Sequence, residues 1–151
     1  MEGEAYTEKV EAGRLTKGDY VMMGDKPCKV VKTSKAKPGK HGSAKIILTA
    51  SSVITGKNSE ISHGTADMVD APIIKKTEYP LLGLDGEFLQ LLDETNEQKD
   101  DVKMLENEVF KEVNKEIRKF EDAGTPCLVT VMKVCGEEIP CSVREDKEGA
   151  D

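Results

Sequence analysis

Ser34-Lys35-Ala36-Lys37-Pro38-Gly39-Lys40-His41-Gly42-Ser43-Ala44-Lys45 is a basic stretch in which a lysine and a histidine stand between two glycines. Cys28-Lys29-Val30-Val31 precedes it and Ala44-Lys45-Ile46-Ile47-Leu48 runs out of it. Short apolar, β-branched runs on either side of a Pro- and Gly-containing connection predict two strands of a hairpin, with this stretch as the tip. Pro38 restrains the approach. Gly39 and Gly42 admit backbone angles closed to other residues, so Lys40 can stand clear of its neighbours at the apex.

Outward from the hairpin, short β-type runs recur at residues 19–23, 28–31, 45–49, 51–54 and 57–61, each bounded by Gly, Pro, Asp or Asn. Gly18-Asp19, Gly24-Asp25 and Thr55-Gly56-Lys57-Asn58 supply turn chemistry, which is the rhythm of a small barrel over residues 13–71. Residues 1–12 are polar and acidic without periodicity and predict a mobile tail. Asp70-Ala71-Pro72 reads as a short stiff connector, because proline removes a donor and holds the preceding residue extended.

A second domain is expected over residues 72–151. Residues 73–82 and 87–92 predict strands joined near Asp85-Gly86, followed by an acidic turn region and a short edge at 102–105. Leu105, Val109, Val113 and Ile117 recur every four residues, joined by Phe110 and Phe120, and predict one helix with a buried stripe. Asn107 is its expected N-cap and Gly124 its terminator. Two closing strands follow at 127–134 and 138–143, around Gly136-Glu137. Strands, one helix, then two strands match the five-stranded Greek-key barrel called the OB-fold.

The 151 residues suffice for one ordinary domain or two small ones, and a mean hydropathy of −0.48 is that of soluble globular proteins. No apolar run approaches the roughly 20 residues that span a bilayer, and the N-terminal residues lack the blocks of a secretory signal, so an intracellular protein is expected. Cys28, Cys127, Cys135 and Cys141 include no Cys-x-x-Cys pair and read as buried reduced thiols, not as a zinc site. The net charge of −7 is asymmetric: residues 1–71 carry 11 basic and 9 acidic side chains, residues 72–151 carry 11 and 20. Seven lysines and no acid fall within residues 26–45, so positive potential gathers at the hairpin and an anionic partner is expected. The alternative is a solvated loop whose lysines serve only solubility.

Taken together, Gly18-Asp19-Tyr20, Lys26-Pro27-Cys28-Lys29-Val30-Val31, Pro38-Gly39-Lys40-His41-Gly42-Ser43-Ala44-Lys45 and Gly136-Glu137-Glu138 resemble the eukaryotic and archaeal translation factor 5A family, over about residues 13–145. The resemblance implies an SH3-like barrel followed by an OB-fold. It implies that Lys40 is the lysine converted to hypusine or deoxyhypusine, with spermidine as donor and no cofactor. It further implies a cytoplasmic, non-enzymatic factor that binds the ribosome, approaches the acceptor end of peptidyl-tRNA, relieves stalling at consecutive prolines and supports termination. The modifying partners would be deoxyhypusine synthase and, for the second step, deoxyhypusine hydroxylase; no membrane is involved, and a weak homodimer stays open.

On that reading, Lys37, Gly39, Lys40, His41, Gly42 and Lys45 are the tRNA- and ribosome-binding candidates, with Lys37 and Lys45 on the RNA backbone. His41 follows the modified lysine and either makes contacts or only shapes the tip; His63 matches no motif. The loop departs from the usual eukaryotic pattern at Lys35-Ala36, Pro38 and Ser43, the last two being similar to the archaeal version. Aminobutyl transfer is expected to be retained, and hydroxylation is the open step. The added fragment would lengthen the side chain by roughly 6 Å, at bond lengths of about 1.5 Å, and add a second amine.

Two rivals come from other classes. One is an unmodified SH3-like and OB module that holds RNA by lysines alone. Its second half is acidic and offers only Tyr79, Phe88, Phe110 and Phe120 for stacking. The other is an enzyme with Lys40 as nucleophile, which would need a lowered pKa from an apolar pocket that a glycine-bracketed tip does not provide. Asp93, Glu94, Glu97, Asp100 and Asp101 lack the alternation of a calcium loop and read as a solvated loop.

Overall fold

In the computed structural model, residues 6–36 and 44–147 are described. The chain divides into two units, one ending at Ile73 and the other starting at Ile74.

The first unit is built on the hairpin. Strands β2 (Tyr20–Met23), β3 (Lys26–Ala36), β4 (Lys45–Ser52) and β5 (Asn58–Gly64) form one antiparallel sheet in chain order, with β1 (Thr7–Glu11) and β6 (Met68–Pro72) as a separate antiparallel pair. β4 sets the faces. Ile46, Leu48, Ala50 and Ser52 are buried while Lys45 is exposed, the period-2 alternation of a half-buried strand. Ile46, Leu48 and Ala50 meet Val21, Cys28, Val30, Val69, Ala12 and Leu15 in one core. β3 carries a bulge between Val30 and Lys32, so Val31 opposes no residue and stands 38% exposed. Residues 45–49 and 51–54, expected as two strands, are one strand ending at Ser52 and a turn. The Ser52 hydroxyl accepts the Ile54 and Thr55 N–H groups, at 3.2 and 3.1 Å.

Two expectations for this unit are corrected. The segment 1–12, read as a tail, contains a strand: β1 pairs with β6 from Thr7↔Pro72 to Glu11↔Met68, Val10 packs against the core and Ala12 is fully buried. Asp70-Ala71-Pro72, read as a connector, is the end of β6, and the division of the units falls after Ile73. Pro72 is tolerated because β6 pairs on one side only and the proline closes the strand.

The second unit is a five-stranded antiparallel sheet in the order β11–β10–β7–β8–β9, made of β7 (Lys75–Asp85), β8 (Phe88–Leu92), β9 (Gln98–Lys103), β10 (Cys127–Val134) and β11 (Glu137–Glu145). Helix α1 (Lys111–Ala123) lies between β9 and β10 in the chain. β7 serves two neighbours: residues 75–80 pair with β10, and Leu81 and residues 83–85 pair with β8 on either side of a bulge between Leu81 and Gly83. Lys99 Nζ on β9 meets Glu138 Oε1 on β11 at 3.1 Å, so the two end strands approach each other. Leu89, Leu91, Val102, Met104, Ile117, Val129 and Val131 fill the interior. The architecture is mainly β, an SH3-like barrel followed by an OB-fold, with one α-helix among the described residues.

The C-terminal end of the helix follows the sequence, whereas the expected N-cap is displaced by one 3-10 turn: α1 starts after Phe110, which makes no side-chain capping bond. Asn107 Oδ1 accepts the Val109 N–H at 3.0 Å, capping a 3-10 turn that leads into α1, and Gly124 closes the helix in the left-handed region at φ 68°. The stripe is only partly buried. Ile117 and Phe110 are buried, but Val109 is 43% exposed because it lies in the 3-10 turn, where the four-residue spacing no longer points at the core. Asn114, which no apolar pattern marks, is buried and donates from Nδ2 to the Leu105 carbonyl at 2.7 Å. The cysteines differ from one another: Cys28 and Cys127 are buried, Cys135 and Cys141 half-buried, all four free, with burial pushing each thiol up.

Candidate functional site

β3 and β4 pair without interruption from Thr33↔Leu48 to Ala36↔Lys45, so both ends of the lysine segment leave a regular ladder. Of the candidates, Lys45 is described; Lys37, Gly39, Lys40, His41 and Gly42 lie outside the described residues. Lys45 is exposed at the last rung, opposite Ala36 on one side and Gly64 on the other. His63 is half-buried on β5, opposite Ile46 and one rung from Lys45, so the histidine without a motif stands close to the loop base.

Along β3, Lys26, Lys29, Lys32 and Lys35 are all exposed. Every third residue of a strand cannot share one face, yet the bulge at Val31 shifts the alternation between Lys29 and Lys32. Lys29 Nζ lies 5.9 Å from the Tyr20 ring centroid, a cation–π contact across the β2–β3 pair. Among the described residues, these four lysines and Lys45 make no ion pair with a carboxylate. Their charge is not cancelled locally, which leaves a positive field leading to the loop base.

That base is tied down by residues that sequence reasoning passed over. Thr65 N–H donates to the Ala44 carbonyl at 3.0 Å, and Gly13 N–H to the Thr65 carbonyl at 2.8 Å. Gly64-Thr65-Ala66-Asp67 carries a turn signal in its glycine and aspartate, but nothing local says that the turn reaches Ala44.

The acidic loop of the second unit is organised differently. Asp93 Oδ1 accepts Thr95 N–H at 2.9 Å, Thr95 Oγ1 at 2.7 Å and Glu97 N–H at 2.9 Å, and the Thr95 hydroxyl in particular holds the Asp93 carboxyl below its ordinary range. No group of three or more His, Cys, Asp or Glu placed to hold a metal ion occurs among the described residues. Among them, too, no helix is long and apolar enough to cross a membrane.

Comparison with known proteins places these features. Residues 5–67 match the family described as translation initiation factor 5A-like, N-terminal, and residues 73–144 match eukaryotic elongation factor 5A hypusine, DNA-binding OB fold. The chain belongs to the translation factor 5A family. Its relatives in that family include eukaryotic translation initiation factor 5A-1 of Saccharomyces cerevisiae, 34% identical over 143 residues, covering 95% of this chain and 88% of the relative. The Caenorhabditis elegans factor 5A-1 is 36% identical over 137 residues, covering 90% and 83%. Among solved structures, the factor 5A family protein of Naegleria fowleri superposes with a TM-score of 0.85 at 33% identity, covering 93% of this chain and 99% of that one. The factor 5A from Methanococcus jannaschii gives 0.71 at 27% identity, covering 91% and 95%. As a translation factor 5A relative, the chain has a role in protein synthesis.

Proposed function

We propose that the protein binds the ribosome in the cytoplasm and uses Lys40, lengthened by an aminobutyl group from spermidine, to hold the acceptor end of peptidyl-tRNA in attack geometry. The observation that carries this reading is the run of exposed lysines on β3 and β4, without a carboxylate partner among the described residues, on the two strands that flank the segment bearing Lys40. Lysine is a compact, strongly hydrated point charge, suited to phosphate but short for a crowded RNA cavity. A longer side chain with two amines could contact phosphate and sugar oxygens while the barrel stays outside. Such contacts position an RNA end without reading its sequence.

The protein would then do no bond chemistry of its own. A tRNA end held in place reacts faster in the ribosome's own centre, and the gain is largest where the substrates are poorly preorganised, as at consecutive prolines. Deoxyhypusine synthase would install the group and deoxyhypusine hydroxylase would act on it second, with no bound cofactor required in the finished factor. Lys37 and Lys45 would lie against the RNA backbone, with Gly39, His41 and Gly42 shaping the approach.

The decisive experiment is Lys40→Arg, which keeps the charge but cannot be extended. Synthesis through a run of prolines is expected to fall to the level without the factor, and intact mass of the Lys40 peptide from native source should show the added group. Wild-type synthesis by Lys40→Arg would favour the unmodified RNA-binding module instead. One feature speaks for that second reading: Phe88 is 43% exposed on β8 with Lys103 Nζ 6.0 Å from its ring centroid, a place on the OB strands where a base could stack.

A further inference from the structure

We infer that the turn Gly64-Thr65-Ala66-Asp67, together with Gly13, is a brace that positions the returning end of the lysine segment; this rests on the role proposed above for Lys40. The regular β4–β5 ladder stops at Lys45↔Gly64. One further bond continues it, from the Thr65 N–H to the Ala44 carbonyl at 3.0 Å. Ala44 is the first described residue after the segment, so this bond acts where the chain re-enters β4.

A single hydrogen bond from an unsupported turn would place nothing, and this turn is supported on both sides. Within it, Gly64 N–H donates to Asp67 Oδ2 at 2.8 Å and Asp67 N–H to the Gly64 carbonyl at 3.0 Å, closing the turn on itself. Behind it, Ala12 N–H donates to the Asp67 carbonyl and Gly13 N–H to the Thr65 carbonyl, each at 2.8 Å. The Thr65 peptide units are therefore gripped from opposite directions, toward Ala44 and toward the fully buried Ala12 and its neighbour Gly13.

The closeness of that grip requires glycine at 13. A Cβ there would lie 2.7 Å from the Thr65 carbonyl oxygen and 2.9 Å from Thr65 Cβ, inside van der Waals contact, and the first of these is backbone that cannot rotate away. Any larger residue at 13 must push Thr65, and with it the bond to Ala44. Asp67 plays the complementary part: its side chain is exposed and touches no core, yet its carboxylate fixes Gly64, the residue paired with Lys45. Both are positioning residues, acting on the Lys40 segment through Thr65 and Ala44.

The test uses the full chain, with Lys40 modification verified by mass, in wild type, Asp67→Ala, Asp67→Asn, Gly13→Ala and Lys40→Arg. Proline-run synthesis, melting temperature and amide exchange at Thr65 are measured for each. Asp67→Ala and Gly13→Ala are expected to speed Thr65 exchange and slow synthesis by roughly tenfold, as small misplacements of a positioning group do, with the melting temperature of Asp67→Ala little changed. Asp67→Asn keeps an acceptor for Gly64 N–H and should behave as wild type. Should Gly13→Ala fail to fold, the Asp67 pair decides alone, since that side chain is exposed. The brace is overturned by wild-type synthesis in Asp67→Ala, by slow synthesis without faster Thr65 exchange, or by equal losses in Asp67→Ala and Asp67→Asn. If Lys40→Arg is inactive while Asp67→Ala is normal, only the brace fails; if Lys40→Arg is fully active, the reading of Lys40 fails with it.

Discussion

The lysines of β3 and β4 and the cations of the second unit's barrel are the same chemistry put to opposite uses. Lys26, Lys29, Lys32, Lys35 and Lys45 are exposed and without a carboxylate partner among the described residues. In the OB-fold, Lys99 sits between Asp101 at 3.0 Å and Glu138 at 3.1 Å with 18% of its side chain exposed. Arg144 holds Glu78 through Nε at 2.8 Å and Nη2 at 3.0 Å, Arg118 meets Glu106 at 2.8 Å, and Lys103 meets Glu87 at 3.4 Å. A paired cation contributes little outside the protein, because its field is cancelled a few ångströms away; an unpaired row keeps its field for a polyanion. Lys9 and Arg14 of the first unit are paired with Asp70 and Glu11, but the β3 and β4 lysines have no carboxylate partner among the described residues, whereas these cations of the second are committed to ion pairs.

Replacing Lys37 and Lys45 together by glutamate should break that contrast most visibly. The association rate with ribosomes is expected to fall by about tenfold or more, and the salt dependence of binding to flatten by roughly one unit of slope for each phosphate that is no longer neutralised. The melting temperature should barely move: Lys45 is exposed, and a surface substitution away from packing stays within about 0.5 kcal/mol. Equal losses of binding and stability would show these lysines to be structural.

Glu138→Gln should do the reverse. It removes one of the two carboxylate charges on the Lys99 ammonium where β9 and β11 approach, and denaturant unfolding is expected to show a loss of about 1 kcal/mol, with ribosome binding unchanged. A binding defect in this variant would erase the division between the two sets of cations.

Titration gives the smallest and sharpest distinction. Burial works to lower the Lys99 pKa, but the hydrogen bonds from Asp101 and Glu138 outweigh it and the group is held above its ordinary 10.5. A raised cationic pKa stabilises the fold fully below the ordinary value, and that contribution disappears as pH rises through the folded-state value. Wild type should thus lose more stability than Glu138→Gln above about pH 10.5. At the acid end, the Arg144 hydrogen bond to Glu78 and the Thr95 hydroxyl on Asp93 hold both carboxyls low, so their support fades only as pH falls below the ordinary carboxylate range. Urea midpoints followed across both ranges check these signs.

Much of the fold is legible residue by residue. Ile46, Leu48 and Ala50 alternate with polar or half-exposed neighbours, Gly124 ends a four-residue apolar repeat, and Asn107 caps the 3-10 turn that precedes the helix; each is a local signal with a local cause. β1 escaped because Val10 is the one strongly apolar side chain among its five residues, so periodicity had nothing to register, and its partner β6 ends in a proline that reads as a break. The site divides in the same way. The crowding of lysine and the Gly-Lys-His-Gly core are visible in one dimension; the brace at Thr65 and the proximity of His63 to Lys45 are not.

The amino-acid order by itself settled the alternation of inward and outward side chains, the turn positions, the glycine that ends the helix and the gathering of positive charge around Lys40, because each depends on residues within a few positions of one another. Tertiary structure alone decided that Thr7 meets Pro72, that Gly13 reaches through Thr65 to Ala44, and that Lys99 finds Glu138. Those contacts join residues far apart along the chain, and a partner is chosen only once both strands have been placed by the burial of their apolar faces.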